Sequence, residues 1–310
     1  MVLEIELRKS ARRRAIKRQL IGYAFISPFL IGLFFYILGP MTLSFYLSFT
    51  DYTVLGGFSR MDWIGLENYT EMFFADDRFV ISLLVTFQFV LISVPLKLAF
   101  SLLVAMLVNT GFGGSKYYTI MYYVPSVVGG SVAIAIIWRL LFRSDGVINN
   151  VLALVGIQGR SWLMDPNSAL YVIIVLIVWQ FGAPMLIFLA GLRQVPDELY
   201  DSARVDGASY ISRFFRITLP MLTPVIFFNL VMQTIIGFLT FTQAYVITDG
   251  GPLDATLVYA LYLYEVAFRR FDMGYASALA WFLLFIVGTS TLLLFLSSKY
   301  WVYYETKGGK

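Results

Sequence analysis

The chain has 310 residues, 59% of them hydrophobic and 14% charged, with a mean hydropathy of +0.77 and a formal net charge of +4. Soluble domains are closer to about half apolar and about a quarter charged, so this is the composition of an integral membrane protein, and the length calls for no second, soluble domain. Cys and His are both absent, which excludes disulfides, thiol nucleophiles, zinc sites built from Cys or His, haem ligation by His and any triad that needs imidazole.

The chain opens on a basic stretch, RKSARRRAIKR (Arg8–Arg18). The apolar run behind it extends from about Leu20 to Phe49, longer than a signal-peptide core and without a small-residue cleavage site. It reads as a retained first span with a basic cytoplasmic flank. A helix needs about 20 residues to cross the hydrocarbon core. Six segments qualify: Leu20–Phe49, Phe79–Val108, Tyr118–Leu141, Ala169–Leu192, Leu219–Phe241 and Ala276–Ser298. The expected plan is a basic N-tail over 1–19, a six-span domain over 20–300 with a cytoplasmic loop at about 193–218, and a C-tail over 301–310.

Charge sets the orientation. With the N-terminus inside, 15 Lys and Arg fall on the cytoplasmic side and 7 in the outer loops, while 12 of the 19 acids lie outside. This predicts both termini in the cytoplasm. The basic residues are dispersed or flank spans, so no nucleic-acid surface is indicated. Lys97 is the one clear charge within a span and reads as a snorkelling side chain. Trp138 reads as an interfacial belt residue.

No G-x-x-x-x-G-K-[ST] motif occurs; the nearest run, GFGGSK (Gly111–Lys116), has the wrong spacing and follows a span rather than a strand. This chain is therefore not expected to bind ATP through a P-loop. The spans lack paired carboxylates of the kind that proton- or Na⁺-driven carriers use, and no acid, base and nucleophile set points to an enzyme.

The segment DSARVDGASYISRFFRITLPMLTP (Asp201–Pro224) stands between two hydrophobic runs. Pro196 and Asp197 suit a helix start, and Asp197, Glu198, Asp201 and Arg204 would share a polar surface of that helix. Asp206-Gly207 is a stop signal, because Gly accepts the left-handed conformation that ends helices. Ser209 can cap a second, amphipathic helix carrying Phe214 and Phe215. Pro220 suits the first turn of span five. The expectation is an L-shaped helix-turn-helix under the membrane, offered to a partner.

This loop resembles the EAA loop of ABC importer permeases: Glu-Ala-Ala, three residues, Gly, nine residues, Ile, one residue, Leu-Pro. The matching positions are Asp201, Ser202, Ala203, Gly207, Ile217, Leu219 and Pro220, with Asp in place of Glu and Ser in place of the first Ala. WIGLENY (Trp63–Tyr69), WLMDPNSAL (Trp162–Leu170), LAGLRQVPDELYDSA (Leu189–Ala203) and TDGGPLDAT (Thr248–Thr256) resemble the sugar-permease branch, in order along nearly the whole chain. The resemblance implies an all-α permease subunit in a prokaryotic cytoplasmic membrane. Its implied partners are a second homologous permease, two ATPase subunits (identical or not) and an extracytoplasmic binding protein. ATP and Mg²⁺ would sit on the ATPase, and no cofactor is expected on this chain. The ATPase-coupling residues implied are Glu198, Asp201, Ser202, Ala203, Asp206, Gly207, Ala208, Phe214, Ile217, Leu219 and Pro220. Gly250, Gly251 and Pro252 are implied to meet the binding protein, against the simpler reading of a plain turn.

Sugars are recognised by amides, hydroxyls and aromatic faces and need no dedicated charge. Asn229, Gln233, Gly237 and Thr240, spaced by four, four and three, share one face of span five. They either line a polar path or pack helices together. Trp179 and Gln180 in span four are a second candidate pair. The expected function is import of a sugar, with oligosaccharide preferred. The alternatives are a permease of the same superfamily for another solute and an ATP-independent secondary carrier.

Overall fold

The computed structural model describes residues 2–57, 61–111 and 113–303, with side chains from residue 16 onward. The C-tail past 303, Arg60 and the basic side chains before Ile16 lie outside these residues. Among the described residues the regular structure is helical, with two isolated bridges and no strand. The helices are α1 (Val2–Gly32), α2 (Gly39–Leu47), α3 (Glu67–Phe74), α4 (Asp77–Asn109), α5 (Ser115–Val128), α6 (Val132–Leu141), α7 (Val147–Leu154), α8 (Pro166–Trp179), α9 (Gly182–Leu192), α10 (Asp197–Val205), α11 (Tyr210–Arg213), α12 (Leu219–Phe238), α13 (Thr242–Ile247), α14 (Tyr259–Tyr264) and α15 (Met273–Trp301). Wider π turns interrupt three runs, at Leu33–Leu38, Phe214–Thr218 and Glu265–Arg269.

Among the described residues four continuous runs are long and apolar enough to cross a membrane: Ile16–Leu47, Asp77–Asn109, Tyr210–Phe238 and Met273–Trp301. Two bent pairs, α5 with α6 and α8 with α9, qualify when each counts as one span, which makes six. The third and fourth spans are thus not the single straight helices expected from sequence. The bend between α5 and α6 is 98° and that between α8 and α9 is 44°. The first bend has a local origin: Gly129-Gly130 releases the chain, and Ser131 restarts it by accepting from the Ile134 N–H at 3.4 Å.

The chain divides into two compact units. The first holds residues 1–69 and 271–281. Here Asn68 donates to the carbonyls of Ser48 and Thr50, both at 2.9 Å, and closes the end of α2. Phe49 stacks on Trp63, with centroids 5.4 Å apart. The WIGLENY segment therefore has a structural task.

The second unit holds residues 70–270 and 282–310. Asp76 caps α4 by accepting from the Phe79 N–H at 3.1 Å. Helices α8, α9, α12 and α14 pack around α4. Small residues set the approach: a Cβ on Gly237 would meet Val90 at 3.1 Å, and one on Gly191 would meet Val225 at 2.8 Å. Hydroxyls tie the same helices, with Ser101 donating to the Phe181 carbonyl at 3.0 Å and Thr86 accepting from the Tyr259 N–H at 2.7 Å. Lys97, expected to snorkel, is only 7% exposed, because α4 is enclosed by its neighbours. Trp138, expected at an interface, is half-buried and donates to the Val172 carbonyl at 3.1 Å.

Candidate functional site

The loop after α9 is built from α10, a turn and α11. Asp197 and Glu198 occupy the first turn of α10, where acids oppose the positive end of the helix dipole. Asp201 and Arg204 pair at 2.8 Å on its solvent side. The helix ends in a Schellman arrangement: Ala208 N–H donates to the Ala203 carbonyl at 2.9 Å and Gly207 N–H to that of Arg204 at 3.0 Å. Gly207 has φ +72°, the left-handed conformation that this closure needs. Ser209 then caps α11 by accepting from the Ser212 N–H at 3.2 Å. The Tyr200 and Thr218 hydroxyls meet at 2.9 Å and tie α10 to the base of α12. A cavity of about 260 Å³ lies inside the L, lined in part by Asn109, Asp197, Tyr200 and Phe214.

One expectation is corrected here. The second limb of the L is not a separate amphipathic helix that stops before span five. Tyr210–Phe238 is one continuous run of 29 residues, carried through the π turn. Pro220 explains the turn: it has no N–H to donate, and its ring clashes with the carbonyl four residues back unless the helix widens there. The Leu219 N–H accordingly reaches back to the Phe214 carbonyl.

Of the loop residues singled out in the sequence, Glu198, Asp201, Ser202, Asp206 and Gly207 are exposed. Ala203, Ala208, Phe214, Ile217, Leu219 and Pro220 are half-buried, which makes them framework more than surface. Sequence reading missed Val205 (89% exposed), Tyr210 and Ile211 (68%), which surround the Gly207 turn with apolar surface. The available signal was three apolar residues within a polar segment beside a helix stop.

At the far end of α12, the Thr248–Thr256 segment is a pinned loop. Thr248 and Thr256 hydroxyls meet at 2.7 Å, and Thr256 N–H donates to the Gly250 carbonyl at 3.1 Å. The two acids that bracket Gly-Gly-Pro enter a chain of alternating charges. Asp254 binds Arg78 at 2.8 Å, Arg78 binds Glu265 at 2.9 Å, Glu265 binds Arg269 at 3.2 Å, and Arg269 binds Asp249 at 2.7 Å. The bond to Asp249 raises the Arg269 pKa above its ordinary value. Gly250, assigned from sequence to a contact surface, is buried with φ +83°, and a Cβ there would meet Leu257 at 3.2 Å. Gly251 and Pro252 are half-buried, and the residue left outside is Leu253, 90% exposed.

The Asn229, Gln233, Gly237 and Thr240 face is buried within the chain, and its Gly237 packs on α4. Asn229 is 0% exposed and, among the described residues, neither amide atom has a partner. The outward face of α12 is instead apolar, with Phe228, Met232 and Ile236 exposed. Trp179 and Gln180 lie at the break of the fourth span. Gln180 donates to the Gly129 carbonyl at 3.0 Å, and Ser126 donates to the Gln180 carbonyl at 3.0 Å. The breaks of the third and fourth spans thus hold each other. Among the described residues, no group of three or more acids is placed to hold a metal ion.

An all-helical chain of six spans with a helix-turn-helix between the fourth and fifth is the architecture of an ABC importer permease. Residues 72–303 match the family described as "Binding-protein-dependent transport system inner membrane component", and the chain belongs to it. It is 53% identical over 300 residues to the probable ABC transporter permease protein YesP of Bacillus subtilis (strain 168), covering 96% of each chain. It is 36% identical to the sulfoquinovosyl glycerol transport system permease protein SmoG of Agrobacterium fabrum (strain C58 / ATCC 33970), covering 84% of this chain and 85% of the relative. Its fold is similar to a chain of a bacterial alginate ABC transporter solved with its alginate pentasaccharide-bound periplasmic protein. The TM-score is 0.77 and the identity 22%, over 92% of this chain and 96% of the other.

Proposed function

We propose that this chain forms half of the translocation pathway of an ATP-driven oligosaccharide importer, with its loop from Pro196 to Pro220 receiving the stroke of a separate ATPase subunit. The observation that carries this reading is the rigid turn at Gly207, with Val205, Tyr210 and Ile211 exposed around it. Exposed apolar residues beside a closed backbone turn suit insertion into a partner's cleft. The loop is joined to span five without a break from Tyr210 to Phe238, and Tyr200 to Thr218 braces it. Closure of an ATPase pair would therefore move α10, α11 and α12 together and open the pathway outward, and hydrolysis would return it. The saccharide assignment draws on the named transport roles of its relatives and on aromatic rings and amides near the span breaks. The remaining partners in this reading are a second permease and an extracytoplasmic binding protein, with both termini in the cytoplasm.

The test is ATPase activity of the chain co-purified in lipid with a candidate second permease, ATPase and binding protein, with and without a panel of oligosaccharides. Stimulation that needs both binding protein and one sugar, and that Gly207→Asp removes, is the expected result. Saccharide flux through vesicles carrying this chain alone, with no ATPase retained on purification, overturns it in favour of a secondary carrier.

A further inference from the structure

A second cavity, of about 940 Å³, opens where α6 and α13 meet the loops at the far end of the bundle. That volume is within the range of about 300–1,000 Å³ typical of ligand sites. Its lining includes Arg139, Arg143, Phe142, Tyr245, Met164 and Asp249. We propose that this cavity receives a saccharide bearing an anionic group, and that Arg139 is the residue that binds that group. The proposal rests on the oligosaccharide-permease reading and narrows it to acidic sugars.

The argument is a balance of charge. Asp249, the acid in the lining, is already engaged by Arg269 at 2.7 Å. Arg143 pairs with Asp145 at 3.1 Å, but both side chains are more than half exposed, so the pair is weak and screened. Among the described residues Arg139 has no carboxylate partner: its hydrogen bond goes to the Val246 carbonyl at 3.4 Å. Arg78, Arg160 and Arg269, by contrast, each hold an acid. The position of Arg139 in the last turn of α6 suits the helix dipole but supplies no counter-charge. The guanidiniums of Arg139 and Arg143 then line the same cavity, an arrangement that a bound anion relieves.

The chemistry of the wall agrees. A guanidinium presents a planar fork that matches a carboxylate or sulfonate with two parallel bonds. Phe142 and Met164 offer apolar surface beside it, on which the C–H faces of a sugar can pack. The Tyr245 ring is already taken, by Phe241 stacked at 5.3 Å and by the Arg269 guanidinium 5.6 Å from its centroid, so it contributes wall and not a docking face. The site would read the charge and the ring together.

The experiment uses the assembled importer in lipid, supplied with binding protein saturated by a uronate oligosaccharide or by its carboxyl-reduced, neutral counterpart, saturation being checked by calorimetry. The expected result is uptake of the acidic sugar that falls about 10-fold or more in Arg139→Gln, the loss typical of a missing charged hydrogen bond. Arg139→Lys should retain more. Uptake of the neutral sugar with no response to Arg139→Gln overturns the proposal and leaves sugar import intact. Weaker docking of sugar-free binding protein in Arg139→Gln also overturns it, because the arginine then meets the protein. No response to either sugar overturns this proposal and the oligosaccharide reading together.

Discussion

Arg78, at the second position of α4, and Glu265, in the turn after α14, meet at 2.9 Å across 187 positions of sequence. Glu265 is the shared acid of the network, since Arg269 reaches its other oxygen at 3.2 Å. The Gly-Gly-Pro loop hangs from the two ends of this chain through Asp254 and Asp249.

Glu265→Gln should therefore loosen a loop that it does not touch. Removing one partner of a buried pair leaves its cations uncompensated, at a cost of about 3–5 kcal/mol when both are deeply buried. Here Arg78 and Arg269 are more than a third exposed or close to it, so about 1–2 kcal/mol is the expected loss. Hydrogen–deuterium exchange should rise across 248–256, with a lower melting temperature in detergent. Unchanged exchange there would show that the backbone bonds of the loop hold it alone.

Gly207 separates fold from coupling. An added Cβ meets nothing within 4 Å, so only the left-handed backbone opposes substitution. Asn tolerates that conformation and Ala costs about 1–2 kcal/mol there. Both variants should insert and keep α10. Gly207→Asp and Gly207→Asn should abolish uptake by projecting a polar group from the docking turn, while Gly207→Ala keeps part of it. Full uptake by Gly207→Asp would remove the turn from the coupling path.

Asn229→Leu should stabilise the protein. Both amide atoms are buried without partners, a state that costs about 1–3 kcal/mol. Leu fills similar space in the buried face of α12. The expected outcome is a higher melting temperature with uptake retained. Lost uptake in a stabilised protein would put Asn229 on the substrate path after all.

The paired span breaks should tolerate no added methyl. A Cβ on Gly182 would come within 2.2 Å of the Tyr122 carbonyl and 2.7 Å of the Tyr123 Cα. These are backbone atoms and cannot swing aside, so Gly182→Ala should cost about 1–3 kcal/mol or more and lower the yield of folded protein. Gln180→Leu removes the latch to Gly129 and, without a clash, should be milder. A normal melting curve for Gly182→Ala would mean that the two breaks separate freely.

What the sequence determined by itself was the part governed by composition and short-range geometry. A run of about 20 apolar residues must span or be buried, so the six spans were legible. Asp206-Gly207-Ala208-Ser209 carries its own stop and restart, so the L-shaped loop was legible too. Tertiary structure decided the rest. Whether Asn229 and Gln233 face a path or a neighbouring helix depends on how α12 rotates against α4, and Gly237 against Val90 fixes that rotation. The breaks in the third and fourth spans are stable because Gln180 meets Gly129, a pairing across 51 positions. The charge network joins residues 78, 249, 254, 265 and 269, and no local pattern announces it. Local rules set which backbone groups can bond within a segment. Which side chains end up unpaired, and so free to bind something else, is settled only when the helices pack.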